Sequence, residues 1–173
     1  MKIASYYRIG WFFAFALFFP LLTSLPPVAS ESGKLTGTVV FMRHALAPGN
    51  GDPNDFSIDD CTTQRNLDET GRRQARAIGK KLSAAEINFS AVYSSYWCRC
   101  LETAKLLELG PVTPFDGLNS FYQGHVPRDE TLLRLNEKLA SLPSSAPPLL
   151  MVTHFVTIQA ITGLSVRSGD LVI

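Results

Sequence analysis

Apolar residues recur along this chain in two rhythms. Short β-branched and aliphatic runs, Val39-Val40-Phe41-Met42 within 37–43, a second at 90–95 and Leu149-Leu150-Met151-Val152 within 148–153, predict strands. Other segments repeat apolar positions at helical spacing, which predicts helices near 69–83, 98–109, 129–142 and 155–162. In the first helix Ala75, Ile78 and Leu82 mark a buried stripe, while Arg72, Arg73, Arg76, Lys80 and Lys81 cover the solvated side. In the third, Leu132, Leu135, Leu139 and Leu142 read as core. Strands alternating with helices in this way predict a three-layer α/β/α sandwich on a mostly parallel sheet.

The predicted strands end in chemistry. Arg43-His44 closes the first, Ser94-Ser95-Tyr96-Trp97-Cys98-Arg99 follows the second, and Thr153-His154 closes the third. In open α/β sheets ligands bind beyond the carboxyl ends of strands, so two arginines and two histidines distant in sequence converge on one pocket. Guanidinium groups stay charged and match phosphate oxygens in a fork. A neutral imidazole is a nucleophile, and an adjacent guanidinium disfavours its protonation. The set points to phosphoryl transfer, with His44 attacking phosphorus and Arg43 and Arg99 holding the phosphoryl oxygens. His154 supplies a further contact to those oxygens.

These motifs resemble the histidine phosphatase superfamily, in its phosphoglycerate-mutase-like branch. The family's Arg-His-Gly stands here as Arg43-His44-Ala45, with alanine for the usual glycine. Leu67 to Ala75 corresponds to its Leu-Thr-x-x-Gly-x-x-Gln-Ala segment, and Ser95 to Ala104 to its Ser-x-x-x-Arg-x-x-x-Thr-Ala segment. The closing histidine falls on His154. The resemblance implies a metal-independent phosphatase without cofactor that works through a phosphohistidine, and a closing edge strand at 169–173 antiparallel to the others. Asn50 lies six residues after His44, where many mutase-like members place a phosphate contact, although Pro48-Gly49-Asn50-Gly51 also reads as a turn. Where members with a catalytic acid carry Leu-Asn-Glu, this chain has Leu118-Asn119-Ser120. The acid then comes from elsewhere, Asp129 and Glu130 being the candidates, or the leaving group needs none. The acid-phosphatase branch fits poorly, since Phe155 follows His154 where that branch has a carboxylate.

The amino terminus bears on location. Lys2 and Arg8 precede an apolar run, Ile9 to Phe19, and Val28-Ala29-Ser30 supplies small residues at its exit. This reads as a secretory signal at 1–30, cut after Ser30, ahead of a phosphatase domain at 31–173. An uncleaved anchor is the alternative. Both put the domain outside the cytoplasm, periplasmic or secreted, with membrane contact only through the amino-terminal segment. The formal charge is +1, and loss of Lys2 and Arg8 makes it −1, so no basic excess favours nucleic acid. The partner expected is a phosphorylated small molecule or an envelope glycan. A phosphohistidine-protein phosphatase and a catalytically weak phospholigand-binding module are alternatives.

Three cysteines bear on the same question. In an oxidising compartment Cys61 would bridge to Cys98 or to Cys100. Cys98 with Cys100 is a strained third possibility, because residues two apart project in divergent directions. Reduced buried thiols are the remaining alternative, and no spacing among these residues suits a metal. His125 reads as an exposed loop residue and Trp97 as a packing residue, while Phe121 stays open between packing and the pocket mouth.

Overall fold

The computed structural model describes residues 38–145 and 147–173. The expected signal at 1–30, its cut after Ser30 and the start of the domain at 31 lie outside the described residues. The elements are β1 (Val39–Arg43), α1 (Glu69–Ala84), β2 (Ala91–Ser94), α2 (Cys98–Leu106), β3 (Val112–Pro114), α3 (Arg128–Ala140), β4 (Leu149–Thr153), α4 (Phe155–Thr162) and β5 (Leu171–Val172). Strand order is β3-β2-β4-β1-β5. β1 to β4 run parallel, and β5 pairs antiparallel with β1. The mostly parallel sheet with one antiparallel edge is the architecture the sequence implies.

Period-two alternation on the central strands divides the core between the two sheet faces. Val40, Met42, Val92, Leu150 and Val152 point to one side and pack with Cys100, Ala104 and Leu107 from α2 and its end. Phe41, Leu149 and Met151 point to the other and pack with Leu135 of α3 and Ile158 of α4. All five residues of β4 are buried, as expected for a parallel strand covered on both faces.

Helix α1 keeps Ala75 of its expected stripe fully buried and adds two glycines to it. Asp68 caps it, accepting from the Gly71 amide at 2.7 Å. Its buried positions are Gly71, Ala75 and Gly79, with Ile78 packed beside them and only partly buried. The small residues permit close approach: a Cβ on Gly71 would lie 2.0 Å from the Leu46 carbonyl oxygen, and one on Gly79 2.1 Å from that of Leu107. Helix α2 stops at Leu106, short of the expected 109, because Glu108 turns to φ 56° and breaks the hydrogen-bond ladder. β3 was not foreseen, since Pro111 and Pro114 make a three-residue edge strand read as loop.

Of the bridges open from sequence, the structure contains Cys61–Cys98, with Cys100 free and buried. The bridge fastens the long loop after β1 to the first residue of α2. Burial pushes the Cys100 thiol up to about 12, so it stays protonated. Among the described residues no helix is long and apolar enough to cross a membrane. Because the bridged cysteines are 37 residues apart, replacing both by serine should cost roughly 3 to 4 kcal/mol of unfolding free energy on the chain-entropy account. Urea unfolding with and without the bridge measures the difference, and equal midpoints would show that it constrains nothing.

Candidate active site

Strand register assembles the site. β1 and β4 are paired so that Arg43 stands opposite Thr153, and the next residue on each strand is a histidine. The His44 amide donates to Thr153 O at 2.9 Å, and the Ser95 amide to Val152 O at 3.0 Å, so three parallel strands finish level. The side chains of His44, Arg99 and His154 follow these three ends closely in sequence and line one cavity. The His44 and His154 rings stand 5.5 Å apart, edge to face.

Both histidines are buried, at 2% and 3% exposure. His44 Nδ1 lies 2.8 Å from the Ala45 carbonyl oxygen, which can only accept, so Nδ1 carries the proton and Nε2 keeps its lone pair. Burial first, then the positive field of Arg99, lowers the His44 pKa to about 3. At neutral pH the imidazole is therefore uncharged. His154 is likewise held well below the ordinary histidine value by burial and by Arg99. Its Nε2 makes a 2.8 Å hydrogen bond with Ser95 Oγ, and the Trp97 ring meets it edge to face at 5.3 Å.

Arg43, His44, Arg99 and His154 share a cavity of about 350 Å³. Arg43 Nη1 donates to Val166 O at 2.8 Å, and its guanidinium lies over the Phe155 ring. Arg99 is clasped by Asp52, at 2.6 Å from Nη1 to Oδ1 and 3.1 Å from Nη2 to Oδ2. In both arginines Nε is buried without a partner among the described residues. Two unsatisfied cationic donors beside a neutral imidazole are what a phosphoryl oxyanion would complete.

Sequence reasoning overlooked two members of this arrangement. Arg65 lines the cavity, donating to the carbonyl oxygens of Ala47 and Gly51. Its signal was an arginine directly ahead of the Leu67 to Ala75 segment. Asp52 is the other, and its position in a run of turn-forming residues concealed it.

The remaining candidates are placed as follows. Asn50 lines the cavity and donates to Tyr122 Oη at 3.2 Å, with Ser120 nearby in the same wall. Asp129 and Glu130 do not line it: they sit in the first turn of α3, their side chains 94% and 67% exposed, beside Arg128 and Arg134. His125 stacks on Phe56 at 4.2 Å around a separate cavity of about 500 Å³. That space is larger, yet it contains no arginine and neither buried histidine. Trp97 is fully buried, as a packing residue should be, and also donates to Asp52 at 3.0 Å. No three His, Cys, Asp or Glu side chains gather as a metal-ligating set among the described residues.

Comparison with known proteins gives this site a family. The sequence profile of the histidine phosphatase superfamily (branch 1) matches residues 39–131, and the chain belongs to that superfamily. No curated protein matches the sequence significantly. Among solved structures, the chain is similar to the SixA protein of Agrobacterium tumefaciens, at 19% identity over 77% of this chain and 87% of that one, TM-score 0.54. The SixA protein of Nakamurella multipartitia is 25% identical over 70% and 61% of the two chains, TM-score 0.50. A phosphoserine phosphatase of Entamoeba histolytica, in complex with 3-phosphoglyceric acid, is 14% identical over 77% and 87%, TM-score 0.50. Fold and family together support phosphatase activity.

The buried histidines make stability depend on pH. In the unfolded chain both titrate near 6.5, whereas in the folded protein both stay neutral far below that value. The unfolded state thus binds more protons below pH 6.5, so stability falls as pH drops, and for His44 the loss continues to about pH 3. The limiting slope is roughly 1.4 kcal/mol per pH unit per histidine. Denaturant titrations between pH 7.5 and 4.5 should show this decline, and His44→Asn should remove one histidine's share. An unaltered slope in that variant would mean that His44 is protonated in the folded protein.

Proposed function

We propose that this protein is an exported phosphatase that hydrolyses phosphomonoesters through a phosphohistidine on His44. The observation that carries the proposal is the free Nε2 of His44, held in its nucleophilic tautomer by Ala45 O in a cavity shared with Arg43, Arg65 and Arg99. A nucleophile already neutral and desolvated needs no separate base. Nε2 attacks phosphorus while the bond to the leaving oxygen breaks. The arginines hold the phosphoryl oxygens through the transition state. Water then displaces His44, releasing inorganic phosphate and returning the neutral imidazole. No metal takes part in this scheme. Export rests on the amino-terminal pattern and is supported by the Cys61–Cys98 bridge. It makes a phosphorylated small molecule or an envelope glycan the natural substrate.

The cavity also favours leaving groups that depart readily. Its described lining includes no carboxylate, and its hydroxyls are those of Ser120 and Tyr122. An alkoxide leaving without a carboxylic acid forfeits the roughly 10²- to 10⁴-fold that general acid catalysis supplies. A phosphoramidate such as phosphohistidine, or an aryl phosphate, loses less. A phosphohistidine-protein phosphatase is therefore the second reading. Steady-state kinetics should place 4-nitrophenyl phosphate at least a hundredfold above glycerol phosphate in kcat/KM, and equal rates would require an acid that this cavity does not provide.

Mechanism and metal independence are tested together. Rapid quenching of the full chain with a phosphate-labelled aryl substrate should trap an acid-labile label on His44. His44→Ala should abolish both label and turnover. Arg99→Ala should keep the nucleophile and lose about a hundredfold or more in turnover, if its contact is worth about 3 kcal/mol. Chelators should leave the rate unchanged. A label elsewhere would overturn the assignment, and phosphate binding without turnover in the wild type would favour the phospholigand-binding module.

A further inference from the structure

Three of the five N–H donors of Arg99 are occupied before any substrate arrives. Nη1 and Nη2 form the end-on edge of the guanidinium, and both go to Asp52; Nη1 also donates to Arg65 O at 3.2 Å. What remains is the side-on edge, Nε with the second hydrogen of Nη2. Nε is buried and has no partner among the described residues, and Arg99 lines the cavity of His44.

Asp52 is itself held from several directions. The Arg65 amide and Trp97 Nε1 donate to its two carboxylate oxygens, each at 3.0 Å. Gln123 grips its backbone, accepting from the Asp52 amide at 2.7 Å and donating to its carbonyl at 3.2 Å. Gln123 does this at φ 72°, a conformation that a non-glycine residue adopts against steric resistance.

On charge alone this carboxylate is badly placed. It is 4% exposed and lies beside groups that receive an anion, where a negative charge weakens the attraction. Its contribution must be geometric. An arginine side chain has several rotatable bonds, and only one orientation of its plane offers two parallel donors to a phosphoryl group. With the end-on edge fixed by a rigid carboxylate, that orientation is set before binding.

We propose that Asp52 is a positioning residue of the phosphoryl site: by taking the end-on edge of Arg99 it turns the side-on fork of Nε and Nη2 towards the phosphoryl oxygens. This inference rests on the phosphatase reading above. It predicts an effect opposite in sign to simple electrostatics. Asp52→Asn makes the site more positive, so a role in charge alone would tighten phosphate binding. Positioning predicts weaker binding.

The test is calorimetric titration of the full chain with inorganic phosphate, alongside turnover of 4-nitrophenyl phosphate. Asp52→Asn should weaken phosphate binding by about tenfold or more and lower kcat/KM at least as much. In an Arg99→Lys background, where no fork exists to be aimed, the same substitution should change binding less than about twofold. Tighter binding in Asp52→Asn, or an equal loss in both backgrounds, overturns the proposal. Should Asp52→Asn fail to fold, Gln123→Ala takes its place: it releases only the backbone of Asp52 and should weaken binding severalfold in the wild-type background alone, and no change there also overturns it. A wild type that binds phosphate and turns over substrate, with Asp52→Asn unchanged, removes the positioning role and leaves the phosphatase reading intact. A wild type that does neither removes both.

Discussion

Parallel pairing of β1 with β4, in a register that sets Arg43 against Thr153, governs the rest of the molecule. A slip of two residues would keep every apolar side chain on its own sheet face yet separate the two histidines by about 6 to 7 Å along the strands. The core therefore does not define the site's alignment by itself. Hydrogen bonds beyond the strands add what the core lacks: the His44 amide to Thr153 O, and Thr153 Oγ1 to Leu118 O at 2.6 Å. These lock the carboxyl end of the sheet at the depth where the chemistry occurs.

Within that frame, positive charge is concentrated where water is scarce. Three arginines line a cavity whose histidines are neutral, and Asp52 pairs with one of them. Burial works to raise the Asp52 pKa, but the hydrogen bonds and field of Arg99 outweigh it and bring the carboxyl below its ordinary range. Three guanidinium charges with one carboxylate leave two positive charges, which matches a phosphoryl dianion. The Nε atoms of Arg43 and Arg99, without partners among the described residues, add two donors to that positive field.

The legible parts of the sequence were those whose physics is local. The apolar runs of β1 and β4 and the motif residues Arg43, His44, Arg99 and His154 could be read because each is a pattern within a few neighbouring positions. The structure gathers those four side chains around one cavity. Asp52 could not be read in this way. Its segment, Gly49-Asn50-Gly51-Asp52-Pro53-Asn54-Asp55, is a run of turn formers, and nothing local distinguishes the acid that will meet an arginine 47 positions later. The buried stripe of α1 was legible only in part: Ala75 is buried as expected and Ile78 packs against the core, but Gly71 and Gly79 were missed. Hydrophobicity marks Ile78 and Leu82, whereas the contact is decided by how little Gly71 and Gly79 occupy. Cys61 was narrowed to two partners, and only the direction of side chains at the start of α2 separates Cys98, which meets it, from Cys100, which turns inward against His154 at 3.4 Å.

The strand that leads into His44 lies next to the margin of the described sheet. Among the described residues β1 has β4 on one side and, on the other, β5, two residues paired through Phe41 with Val172 and Met42 with Leu171. Backbone bonds from the Arg43 amide to Asp170 O and from the Gly169 amide to Arg43 O lengthen that cover slightly. At the opposite margin, prolines beside and within β3 interrupt the ladder that another chain could join. The two margins are thus guarded unequally, one by residues that cannot donate and the other by a ribbon of two paired residues. Fraying of that ribbon would expose the amides of the catalytic strand as a template for a neighbouring molecule, so self-association and loss of the active centre would begin at the same place.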